Sequence, residues 1–98
     1  MTAEQDIQQI RKIIQVRLAQ YPVRIFLFGS HATGQARSSS DVDVAVLPET
    51  DLPAGLLSKV REDFEKSNVL YHVDLVDISK TDKAFRQRVL SEGVEWTD

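Results

Sequence analysis

Cysteine is missing altogether. That removes disulfides, thiolate nucleophiles and cysteine-ligated zinc, and it suits a reducing, cytoplasmic setting. Long apolar runs are missing too, since none approaches the ~18 residues of a membrane span. The opening Met-Thr-Ala-Glu-Gln-Asp has no basic segment followed by an apolar one, so no targeting leader is expected. Nor is there an excess of positive charge. With 12 basic and 15 acidic side chains the formal net charge is −3, which makes long nucleic acid a poor match, because its binding rests on many cationic phosphate contacts. Internal repeats, low-complexity stretches and dividing linkers are absent as well. Residues 1–98 are therefore expected to form a single domain, with a two-layer core and little material for a deep substrate pocket.

The composition, 42% hydrophobic and 28% charged, is that of an ordinary soluble globular protein. The charge is unevenly spread. Residues 1–40 hold five basic and two acidic groups, whereas residues 41–98 hold seven basic and thirteen acidic ones. A single nucleotide carried by a divalent metal is compatible with that split.

Thr2 with Gln5 resembles a capping box, and Ile7, Ile10, Ile14, Leu18 and Tyr21 then recur at helical spacing until Pro22. Val16 lies off that stripe. Val23 to Phe28 is apolar on both alternating faces apart from Arg24 and reads as an interior strand. His31 to Gln35 predicts a short helical turn closed by Gly34. Asp41 to Leu47 reads as a second strand, Leu56 to Ser67 as a helix with Leu57, Val60 and Phe64 inward, and Tyr71 to Ile78 as a third strand. Ser79 or Thr81 would cap a last helix carrying Phe85 and Val89, ended by Gly93 before a short tail with Trp96. This order predicts an α/β (α+β) fold in which helices pack on a small mixed sheet.

Residues 25–43 carry the chemistry. An apolar strand stops at Gly29-Ser30, ten residues follow, and Asp41 and Asp43 open the next apolar run. A glycine turn lets backbone N–H groups approach phosphate. Strand side chains alternate, so Asp41 and Asp43 point the same way, roughly 6 to 7 Å apart by strand rise. Magnesium takes hard oxygen ligands, usually one or two carboxylates plus substrate phosphates. A third carboxylate would allow a second ion. The third strand offers Asp74 and Asp77, which face opposite ways, so only one can join. If Val73 and Leu75 face the core, Asp74 looks out on the opposite side.

Other readings compete for these residues. Gly29 to Gln35 imitates a P-loop but lacks the lysine and hydroxyl residue of a working one. Asp41-Val-Asp could be the nucleophile motif of a haloacid dehalogenase-type phosphatase, yet the chain has no room for that larger fold. Taken alone, Asp-x-Asp is more often a turn or strand-edge pair than a site.

Combined, the pieces are specific. Phe28-Gly29-Ser30-His31-Ala32-Thr33-Gly34-Gln35-Ala36-Arg37, then Ser40-Asp41-Val42-Asp43, then a helix and a strand bearing Asp74, resembles the signature of the minimal nucleotidyltransferase (MNT) family of the DNA polymerase β superfamily. It departs at His31 and Thr33, where the family often has arginines. The stretch from Glu65 to Asp77, with Phe85-Arg86 after it, resembles the branch paired with a helical substrate-binding protein of the HEPN type.

The resemblance implies that Gly29, Ser30, Arg37 and Ser40 bind the nucleotide, and that Asp41, Asp43 and Asp74 are catalytic and ligate two magnesium ions. It implies transfer of a nucleoside monophosphate, AMP from ATP, to a hydroxyl presented by the HEPN-type partner. Such a pair would act as toxin and antitoxin, assembled as a homodimer or heterotetramer. The rival expectation is a catalytically idle binding module of the same fold that neutralises its partner by contact. Among the remaining residues, His31 is expected at the lip of the site, His72 and Asp77 in structural roles, and Trp96 packed on the domain or at a subunit contact.

Overall fold

A computed structural model describes residues 3–36 and 41–97. The order is α1 (Ala3–Leu18), β1 (Val23–Phe28), α2 (Ser30–Thr33), β2 (Val42–Pro48), α3 (Leu56–Glu65), β3 (Val73–Asp77), a 3-10 turn (Ile78–Lys80), α4 (Lys83–Glu92) and β4 (Val94–Glu95). The sheet runs β3-β2-β1-β4. β1 pairs antiparallel with both β2 and β4, and β2 pairs parallel with β3 across the α3 connection. The mixed sheet with helices on it is the architecture expected of the sequence.

Alternation along β1 sorts the core into two layers. Ile25 and Leu27 face α1 and α3, where Ile10, Ile14, Leu18, Val60 and Phe64 meet Val42, Val44 and Val46 of β2. Phe26 faces the other way and packs with Ala45, Ile78 and Val89 of α4. Both faces of β1 are therefore covered, as its unbroken apolar run requires. A bidentate pair from Arg17 to Asp63, with both bonds at 2.9 Å, ties α1 to α3. It holds the Asp63 carboxyl below the usual range and the Arg17 guanidinium above its own.

Several boundaries differ from the sequence reading. The capping candidate Thr2 lies outside the described residues. β2 starts at Val42, so Asp41 precedes the strand. β3 starts at Val73, and the His72 carbonyl accepts from the Val42 amide at 3.0 Å just before it. Neither Ser79 nor Thr81 caps α4. Asp82 does, accepting from the Phe85 amide at 2.8 Å. Asp77 caps the 3-10 turn instead, accepting from the Ser79 amide at 2.9 Å.

The largest difference is β4, read from sequence as a tail. Two residues are too few for a periodic signal, and this strand exists because β1 offers it an edge. The Trp96 amide continues the ladder onto the Ile25 carbonyl at 2.8 Å, and the Trp96 ring is buried in the α1–α3 layer. Arg24 of β1 holds Glu95 through two bonds, at 2.8 and 3.1 Å.

Gly93 permits this approach. A Cβ there would lie 2.6 Å from the Val89 carbonyl oxygen and 3.2 Å from that of Leu27. Backbone cannot yield as a flexible side chain would. Gly93→Ala is expected to cost about 1 to 3 kcal/mol, the range for overpacking, read as a lower urea midpoint with an unchanged m-value.

Candidate active site

Two residues in direct register on neighbouring strands share a face, with strands about 4.8 Å apart. Phe28 of β1 lies opposite Asp43 of β2, and Asp43 opposite Asp74 of β3. These three side chains form one row across the sheet. The next row inward is Phe26, Ala45 and Val76, all packed on the α4 side. By alternation the acidic row belongs to that same side, while Val42, Val44 and Leu75 point into the α1–α3 layer. Asp77, in register with the buried Val46, falls on the opposite face from Asp74.

β1 is followed by Gly29, whose φ of 75° and ψ of −155° lie in a region open in practice only to glycine. A Cβ on Gly29 would collide with the Asp43 carboxylate and stand 3.2 Å from its Cγ. The carboxylate thus lies directly against the bare Cα of the turn. Beyond it, the Ala32 and Thr33 amides bond to the Gly29 carbonyl at 3.1 and 3.2 Å, and the Thr33 hydroxyl turns back toward the same oxygen. Gly34, with φ 79°, closes α2.

Asp43 is half-buried, while Asp41 and Asp74 are exposed. Burial and then the charges of Asp74 and Asp41 push the Asp43 carboxyl above the ordinary aspartate value, with His31 and His72 pulling the other way. Asp43 therefore feels the charge of both neighbouring acids at the mouth of the sheet. Among the described residues, no three acidic or histidine side chains stand close enough, as they lie, to encage a metal. The donor set nonetheless fits magnesium. It supplies hard carboxylate oxygens in mutual repulsion, and magnesium normally completes its shell from phosphate and water.

Two aromatic pairs flank the row. Phe85 of α4 meets Phe28 edge-on at 5.8 Å between ring centres. His31 meets Tyr71 edge-on at 5.4 Å, forty residues away in sequence. The sequence places Tyr71 only at the start of the third strand, and no local pattern reveals a contact of that span. Arg37 and Ser40, expected to bind nucleotide, lie outside the described residues.

Residues 8–96 match the family described as polymerase beta, nucleotidyltransferase. The chain belongs to that family. It is 30% identical to a Haemophilus influenzae protein named as the probable protein adenylyltransferase MntA, over 85% of this chain and 71% of the relative. It is 33% identical to a Methanocaldococcus jannaschii protein also named as a protein adenylyltransferase, over 87% of this chain and 90% of the relative. In three dimensions it resembles a toxin–antitoxin crystallised with AMP-PNP, at a TM-score of 0.74 and 26% identity over 99% of this chain and 75% of that one. A minimal nucleotidyltransferase structure matches in fold at a TM-score of 0.75 and 24% identity, over 96% of this chain and 95% of that one. The protein is a nucleotidyltransferase of the minimal, MNT, branch.

The charge repulsion has a measurable sign. Asp43 keeps its proton to higher pH in the folded state than in the unfolded chain, so the native state binds more protons between the ordinary aspartate pKa of 3.8 and the raised value. Stability falls as pH rises through that window and stays lowered above it. In metal-free buffer at neutral pH, Asp43→Asn should melt no lower than the unsubstituted chain, and its stability should vary less with pH across the window. A clear loss of stability would contradict the repulsion.

Proposed function

We propose that this chain is a magnesium-dependent adenylyltransferase that moves AMP from ATP onto a hydroxyl of a helical HEPN-type partner, as the antitoxin of a toxin–antitoxin pair. The observation that carries the reading is the Phe28–Asp43–Asp74 row with the Asp43 carboxylate against Gly29. The names of the relatives and the toxin–antitoxin with AMP-PNP support the choice of nucleotide, and a structural match to a tri-AMPylated Shewanella oneidensis HEPN toxin in complex with an MNT antitoxin supports the choice of partner.

In this reading Gly29 and Ser30 receive the terminal phosphates, which approach closely because Gly29 has no side chain. Arg37 and Ser40 are proposed to add a cation and a hydroxyl donor to the same phosphates. Asp41, Asp43 and Asp74 would hold the magnesium, two ions in the proposed form, which supplies positive charge to the triphosphate oxygens. Asp74, at the outer end of the row, orients the acceptor hydroxyl and helps remove its proton. The acceptor oxygen bonds to the α-phosphorus, the bond from that phosphorus to the bridging oxygen breaks, and pyrophosphate leaves with the electron pair. No covalent enzyme intermediate is required.

The test is a mass measurement on a HEPN-type partner incubated with the chain, magnesium and each of the four triphosphates. The reading expects a gain of one or more AMP groups with ATP, abolished by chelation. Asp41→Asn or Asp74→Asn should slow the transfer by at least about 10²-fold, the scale of losing a major electrostatic contributor. Partner binding without any adduct would overturn the catalytic reading.

Gly29→Ala should be as damaging as loss of a carboxylate. It would force the backbone out of its glycine-only conformation and displace Asp43 together. Residual transfer within tenfold of the unsubstituted chain would count against the close approach of phosphate at this turn.

A further inference from the structure

We propose that the nucleobase of the triphosphate stacks on the Phe28–Phe85 ring pair, with Phe85 as the residue that sets its affinity. The inference rests on the nucleotidyltransferase reading above and adds where the nucleoside half of the substrate lies.

The acidic row fixes where a bound nucleotide has to be. Phe28 and Asp43 are register partners on adjacent strands, so their Cα atoms stand about 5 Å apart with both side chains on the α4 face. A metal–nucleotide held by Asp43 therefore lies within a side chain's length of the Phe28 ring. Gly29 follows Phe28 and leads outward into α2, whereas Phe85 packs inward of the row, against Phe26, Ala45, Ile78 and Val89. Terminal phosphates at Gly29 and rings toward α4 thus flank the acids from opposite directions along the strands.

The two directions differ in chemistry. Outward lies a backbone turn that suits charge. Inward lies an aromatic surface, where Phe28 and Phe85 meet edge-on at 5.8 Å and both remain partly exposed. A phosphate gains nothing from an apolar ring, whereas any base gains a stacking partner. The nucleoside therefore belongs on the α4 side.

Phe85 is also held in place before anything binds. Its amide donates to the Asp82 carboxylate at 2.8 Å, and the neighbouring Arg86 donates to the Ile78 and Thr81 carbonyls at 3.0 and 3.2 Å. The start of α4 is thereby fixed, and little ordering is left to oppose stacking. The His31–Tyr71 pair is a poorer platform, because Tyr71 packs against the α1–α3 layer, on the far face from the acids.

A phenyl ring has no donor or acceptor with which to read the edge of a base. Discrimination then follows the area covered, which favours a purine over a pyrimidine.

The experiment measures calorimetric binding to the full chain, without a protein partner, of three magnesium-loaded probes: ATP, CTP and inorganic tripolyphosphate. The unsubstituted chain should bind ATP most tightly. Phe85→Leu keeps an apolar side chain against the core and should weaken ATP at least about tenfold, the scale of losing a base–aromatic stack. Its tripolyphosphate binding should stay within about twofold, which also shows that the variant is folded. Phe85→Tyr should restore ATP binding, and the preference for ATP over CTP should shrink in Phe85→Leu alone. Equal losses for ATP and tripolyphosphate, no loss for ATP, or an unsubstituted chain that holds tripolyphosphate as tightly as ATP would overturn the proposal. Failure of AMP transfer with these binding preferences intact would instead remove the catalytic reading and leave the base site standing.

Discussion

Asp43 lies against the bare Cα of Gly29 and shares a row with Asp74, and the site depends on that contact. The sheet sets it up: antiparallel register puts Phe28 opposite Asp43, and parallel register puts Asp43 opposite Asp74. A slip of one residue in either pairing would turn an acid into the α1–α3 layer and an apolar side chain out to solvent. Burial of Val42, Val44 and Leu75 therefore does more than stabilise the domain. It fixes the face on which the carboxylates emerge.

The arrangement carries a cost that a binding site can use. A half-buried carboxylate beside two others resists ionisation, as the raised Asp43 pKa shows. Under the proposed function, a divalent cation bound by these carboxylates would relieve this repulsion. The surrounding structure supports the strain from elsewhere, through two packed layers and through β4, which closes the far edge of β1.

Much of this was legible in the chain. The stripe of Ile10, Ile14 and Leu18, the two-faced run of β1 and the stripe of Val60 and Phe64 give regular elements, because burial follows the helical and strand periods. Strand alternation showed that only one of Asp74 and Asp77 could join Asp43, the family resemblance pointed to Asp74, and the parallel register of β2 with β3 puts Asp74 opposite Asp43. Other features depend on long-range partners. β4 has only two residues and is defined by pairing with β1. The cap of α4 fell to Asp82 although Ser79 and Thr81 have the same chemistry, because Asp77 and the 3-10 turn take up the preceding residues. The His31–Tyr71 contact joins rings from opposite sides of the α3 crossover and leaves no trace in local spacing.

The most direct measurement of the shared charge is a carboxyl-carbon NMR titration of Asp43, made in metal-free buffer on the unsubstituted chain and on Asp74→Asn. Removing one neighbouring charge should bring the Asp43 pKa down toward the ordinary aspartate value. An Asp43 titration that is the same in both proteins would show that the two carboxylates do not share a site.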